Sequence, residues 1–152
     1  MQRAIDLAGK AKGKTFPNPA VGAVVVKCGK VIAEGFHEKA GAPHAEIVAL
    51  KIAKENSMGA NLYITLEPCA HYGKTPPCVK TVLKSGVKKV FIAMKDPNPL
   101  VNGRGLRILR KNGIYVQMGT CRKEASELNK EYIARMRGAL EKCLPELSKK
   151  RA

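Results

Sequence analysis

Residues 60–94 read ANLYITLEPCAHYGKTPPCVKTVLKSGVKKVFIAM. The segment opens on a β-branched and aromatic run, ANLYITL, and closes on a second, VKKVFIAM, and both predict strands. Between them CVKTVLK, followed by Ser85 and Gly86, predicts a short helix. Strand, helix and strand over this length imply a right-handed crossover and two parallel strands in one sheet.

The pattern extends in both directions. Upstream, Ala4, Leu7, Ala8 and Ala11 sit at helical spacing within residues 1–12, a predicted amphipathic helix ending near Gly13. The runs Val21–Val26 and Val31–Ala33, joined across Cys28-Gly29, predict a β-hairpin. HAEIVALKIAKENSMG then predicts a helix with Pro43 in its first turn and Gly59 as its stop, so His44 and Glu46 fall at a helix N-terminus. Downstream, GRGLRILRKNG reads as a helix, IYVQMG as a strand, and CRKEASELNKEYIARMRGALEKC as one long polar-faced helix. The expected class is α/β, with a mixed, mostly parallel five-stranded sheet. In open sheets of this kind, ligands bind outside the carboxyl ends of the strands. That directs attention to the loops after YITL, after FIAM and before the His44 helix.

The 152 residues, 45% of them hydrophobic, fit one globular domain with a substantial core. The amino-terminal MQRAIDLAGKAKGKTF mixes charge into every turn, unlike a secretory signal. The greasiest segments, VGAVVV and YITL, are too short to cross a bilayer. A soluble, cytoplasmic protein with no membrane partner is expected. Its five cysteines (Cys28, Cys69, Cys78, Cys121, Cys143) are an odd number, which a reducing compartment keeps as thiols and which favours a metal role for the closest pair. The net charge of +16 steers anions toward the surface. Because the basic residues are scattered, they read as a solvated surface rather than a nucleic-acid stripe.

Cys69 and Cys78 are too far apart for a tight metal knuckle. With His44 they supply one imidazole and two thiols, a set that suits one tetrahedral zinc ion per chain with a position left for water. Cys78 opens a predicted helix, whose N-terminal partial charge favours the thiolate. Glu46, two residues beyond His44, is placed to reach that water and serve as the proton shuttle. H-x-E followed by P-C is a pattern of zinc deaminases; a structural zinc site, or an ordinary histidine at a helix start, is the plainer alternative. In the loop between the cysteines, Gly73 allows a turn and Pro76-Pro77 stiffens the exit. His71, Lys74 and Thr75 offer a positive charge and donors that suit a phosphate held near the metal. A solvated surface loop is the alternative there.

PNPAVGAVVV, the HAE helix, TLEPCAHYGKTPPC and MKDPNPLVNGRG together resemble the deaminase domain of the bifunctional riboflavin-biosynthesis deaminase/reductase proteins, over residues 1 to about 138. The resemblance implies a cytidine-deaminase-like three-layer α/β/α sandwich. It implies hydrolytic deamination of 2,5-diamino-6-(5-phosphoribosylamino)pyrimidin-4(3H)-one to 5-amino-6-(5-phosphoribosylamino)uracil and ammonia. It makes His44, Cys69 and Cys78 the zinc ligands and Glu46 the general acid/base. Asn18 and His37 would face the pyrimidine ring, and His71, Lys74, Asp96 and Asn98 the ribose-phosphate end. Read alone, DPNP and PNP are equally ordinary proline turns. Family members with both activities continue into a reductase domain, whereas this chain stops at EKCLPELSKKRA. A deaminase domain over residues 1–140, a basic and disordered tail over 141–152, no reductase domain and a separately encoded reductase are therefore expected, unless the chain is a fragment. A homodimer is expected from relatives of the fold. The competing readings are a nucleic-acid (tRNA adenosine or cytidine) deaminase and a non-catalytic zinc-binding module.

Overall fold

The computed structural model describes residues 1–72, 76–99 and 101–149, with side chains through residue 139. The elements in chain order are α1 (Gln2–Gly9), β1 (Gly22–Lys27), β2 (Lys30–Phe36), α2 (Ala45–Ala53), β3 (Asn61–Leu66), α3 (Cys78–Lys84), β4 (Lys89–Met94), α4 (Arg104–Lys111), β5 (Tyr115–Met118), α5 (Arg122–Leu128) and α6 (Lys130–Lys149). A short 3-10 segment, Lys54–Ser57, follows α2.

The sheet order is β2-β1-β3-β4-β5. β1 is antiparallel to both β2 and β3, while β3, β4 and β5 pair in parallel. Four strands thus share one direction and β1 opposes them, as the expected mixed, mostly parallel sheet requires. The β1–β2 hairpin turns through Cys28 and Gly29 at φ 50° and 75°, the two positive values of a type I′ turn.

Helices cover both faces. Ala23 pairs with Gly35, so Gly22 points to the opposite face. A Cβ on Gly22 would meet Ala4 O at 2.0 Å, and one on Gly35 would meet Ala45 O at 2.5 Å. Glycine there lets α1 seat on one face and α2 on the other. α1 touches α5, and α2, α3 and α4 form a contiguous layer on the second face. The core between these layers centres on Val25, Leu62, Ile64, Val82, Val90, Ile92 and Leu109. Among the described residues no helix is long and apolar enough to cross a membrane.

Three local expectations shift. Pro43 lies before α2 rather than in its first turn, because His44 is the cap residue with extended backbone (φ −70°, ψ 156°). α2 stops at Ala53, where Lys54 turns to φ 48°. The long terminal helix is broken at Asn129 into α5 and α6. Asn129 Oδ1 accepts from Ala20 N at 2.8 Å and its Nδ2 donates to Ala20 O at 2.9 Å, a pairing that competes with helix continuation. α6 runs on to Lys149.

The direction of β1 positions the site. β3 and β4 end side by side, with Leu66 opposite Met94, and β2 ends beside the start of β1, Phe36 opposite Gly22. The loops after β2, β3 and β4 and the loop before β1 therefore meet at one rim.

Candidate metal centre and pocket

His44, Cys69 and Cys78 reach this rim from three elements. His44 caps α2, so its imidazole lies outside the helix; Cys78 is the first residue of α3, after Pro77. Cys69 follows the end of β3 by three residues. His44 Nδ1 lies 3.0 Å from Cys78 Sγ and 3.8 Å from Cys69 Sγ. The three ligand atoms all lie within 4.8 Å of one another. A tetrahedral zinc with ordinary Zn–N and Zn–S bonds separates such atoms by about 3.6 Å, so position and donor chemistry both fit zinc.

Electrostatics supports the assignment. Cys78 N donates to Cys69 Sγ at 3.3 Å. A hydrogen bond from the Cys78 thiol, with help from His44 and against burial, holds Cys69 down to about 4. Cys78 is pushed up, first by retaining the proton it shares with Cys69 and then by burial. His44 is raised, first by the Cys69 sulfur. One proton shared between two sulfurs is what a cation displaces on binding.

Glu46 sits in the first turn of α2 and is 3% exposed. Burial raises its pKa, and the nearby His44 opposes that rise. Beside it, His37 lies edge-on to His44, with ring centroids 5.4 Å apart. The Pro43 carbonyl, 3.1 Å from His37 Nδ1, only accepts, so Nδ1 carries the proton. Nε2 is then the acceptor for Asn18 Nδ2 at 3.1 Å. Burial, the largest influence, lowers the His37 pKa and keeps the ring neutral.

Asn18, His37, His44, Glu46, Cys69, His71, Asp96 and Asn98 line one pocket of about 570 Å³. Lys74, with Gly73 and Thr75, lies outside the described residues. Asp96 Oδ1 accepts from Asn98 N at 2.8 Å and from Tyr132 OH at 2.9 Å. Burial raises its pKa against these two donors. His71 Nδ1 is buried without a partner among the described residues. Two lining residues, Glu67 and Tyr132, escaped the sequence reading. Glu67 stood inside the TLEPC motif without a role, and Tyr132 carries no local signal at all.

A His-Cys-Cys donor set at two helix starts and beyond a strand end, within this sandwich, is the arrangement of the zinc deaminases of the cytidine-deaminase fold. Residues 1–94 match the family model described as the cytidine and deoxycytidylate deaminase zinc-binding region. The chain is 55% identical over 133 residues to riboflavin biosynthesis protein RibD of Aquifex aeolicus, covering 88% of this chain and 37% of that protein. It is 49% identical over 140 residues to the diaminohydroxyphosphoribosylamino-pyrimidine deaminase of Buchnera aphidicola subsp. Schizaphis graminum, covering 92% of this chain and 95% of that one. The solved structure of Acinetobacter baumannii RibD aligns with a TM-score of 0.87 at 52% identity, over 89% of this chain and 38% of that chain. The chain thus spans little more than a third of the RibD proteins. It belongs to the cytidine and deoxycytidylate deaminase family and, within it, to the diaminohydroxyphosphoribosylaminopyrimidine deaminases.

Proposed function

We propose that the protein hydrolytically deaminates 2,5-diamino-6-(5-phosphoribosylamino)pyrimidin-4(3H)-one to 5-amino-6-(5-phosphoribosylamino)uracil and ammonia, a step of riboflavin biosynthesis. The observation that carries this reading is that one pocket of about 570 Å³ is lined by His44, Cys69 and Glu46 and also by His71, Asp96 and Asn98. That is room for a heterocycle and its sugar phosphate in a single cleft.

In this reading His44 Nδ1, Cys69 Sγ and Cys78 Sγ hold the zinc. Bound zinc supplies Lewis acidity, making a water a stronger acid at neutral pH. The Glu46 carboxylate takes a proton from the attacking water and returns it to the departing amine, so that one water is consumed and one ammonia released. Burial of Glu46 makes it a better base than an exposed carboxylate. Asn18, with Nδ2 engaged on His37, has Oδ1 to offer an amino or ring N–H. His71, Asp96, Asn98 and Lys74 take the ribose phosphate, and the +16 charge attracts it.

The test is ammonia release from the phosphorylated pyrimidine and from its dephosphorylated form, with metal content measured on the same samples. Wild-type protein should turn over the phosphorylated compound with one zinc per chain. Glu46→Gln should keep zinc and lose turnover by a factor of about 10²–10⁴, the usual contribution of a positioned acid/base group. Full activity in Glu46→Gln would remove that residue from the chemistry.

A further inference from the structure

Glu67 follows the last residue of β3 and is 3% exposed. Among the described residues it makes no ion pair. A buried carboxylate without a cation is tolerated only when its oxygens are filled with hydrogen bonds. Among the described residues their partners are all backbone amides. Oε1 accepts from Gly105 N at 2.9 Å and Leu106 N at 3.4 Å. Oε2 accepts from Gly103 N at 2.9 Å and Asp96 N at 3.3 Å.

Three of those amides belong to the cap position and first turn of α4, which has no side-chain cap of its own. First-turn N–H groups have no intrahelical partner. Glu67 therefore caps α4 from a different strand, and its negative charge meets the positive end of that helix. The fourth amide is that of Asp96, the first residue of the segment leading to Asn98. The contact between the two parts is tight. A Cβ on Gly105 would lie 2.3 Å from Pro68 O and 3.3 Å from Glu67 Oε1, so the start of α4 is pressed onto Glu67-Pro68, directly before Cys69.

We infer that Glu67 is a positioning residue that fixes the separation between Cys69 and the Asp96–Asn98 segment, and hence between the metal centre and the part of the pocket wall that Asp96 and Asn98 form. This inference rests on the function proposed above. Glu67 acts through its neighbours, since both of its oxygens are committed to backbone amides. Its loss leaves Cys69 with independent anchors, because Cys78 N donates to Cys69 Sγ and Val79 N donates to Cys69 O at 3.2 Å. Among the described residues the amides of Asp96, Gly103, Gly105 and Leu106 have no acceptor other than Glu67. Loss of Glu67 should therefore appear in substrate binding more than in metal binding or chemistry.

The test is Glu67→Gln, in which an amide NH2 must face backbone N–H donors. Expected are one zinc per chain, kcat within about threefold of wild type and KM raised about tenfold or more, the scale of losing hydrogen bonds to a charged acceptor. An unchanged KM, or loss of zinc together with kcat, would overturn the inference. Should the variant fail to fold, amide hydrogen exchange on the wild-type protein still decides. The amides of Asp96, Gly103 and Gly105 should exchange as slowly as those inside α4, and rapid exchange there would sink the proposal. A wild type that releases no ammonia would instead overturn the functional reading, an outcome distinct from a kinetically silent Glu67 variant.

Discussion

Asn129 offers the sharpest test of how the pocket wall is held. It is 4% exposed, and its side chain satisfies both backbone groups of Ala20, itself 5% exposed. Its Nδ2 also reaches Ala125 O at 3.3 Å. Asn129→Ala removes three hydrogen bonds and strips a buried N–H and C=O of their partners. Each orphaned buried group costs about 1–3 kcal/mol, and water entering the vacated space recovers part of that. The expected loss is about 2–4 kcal/mol, a large share of the roughly 5–15 kcal/mol that holds a domain of this size. Urea denaturation followed by far-ultraviolet circular dichroism, with zinc held in constant excess, measures it. At an ordinary slope of about 1–3 kcal/mol/M the midpoint should fall by about 0.7–4 M with the slope unchanged. Because Ala20 lies two residues past Asn18, KM should rise as well. A stability change under about 0.5 kcal/mol would show that the α5–α6 break is held by something other than this side chain.

Other substitutions address the pocket directly. Burial raises the Asp96 pKa above its unfolded value, so its ionisation opposes folding. Stability of Asp96→Asn relative to wild type should therefore climb as pH rises from about 3.9 through the raised folded value and then level off; a variant that loses stability relative to wild type over that range would contradict the burial argument. The same variant should raise KM. Cys78→Ser replaces a thiolate ligand with a poor one, so elemental analysis should find well under one zinc per chain; full occupancy would remove Cys78 from the donor set. Lys74→Ala should retain zinc and raise KM for the phosphorylated substrate while leaving the dephosphorylated form unaffected, and equal effects on both would place the phosphate elsewhere.

What the sequence made legible is what depends on near neighbours. β3, α3 and β4 declare themselves because β-branched runs and a helical interval alternate within 35 consecutive residues, 60–94. His44, Cys69 and Cys78 were readable because metal chemistry restricts the residue types and because each sits at an element boundary with its own signal. The break at Asn129 was hidden, since its cause is a partner 109 residues away. Tyr132 was hidden for the same reason, its hydroxyl meeting Asp96 across 36 residues. Glu67 was visible as a letter in a motif, but its task is defined only once α4 folds back onto Pro68. The end of α2 was misjudged by six residues because Lys54 turns the chain without glycine.

The reversed first strand has one more consequence. His37 N donates to Val21 O at 2.9 Å, so the two arms of the β1–β2 hairpin stay joined up to the mouth of the cleft. There Asn18 on the incoming arm holds His37 on the outgoing one. The hairpin is thus a lever whose short end carries the Asn18–His37 pair at the pocket wall and whose long end is the Cys28-Gly29 tip, about 20 Å away at six strand residues. Altering that tip so that pairing slips by a single residue would turn one arm over against the other and be felt at Asn18 and His37 without any change to either residue.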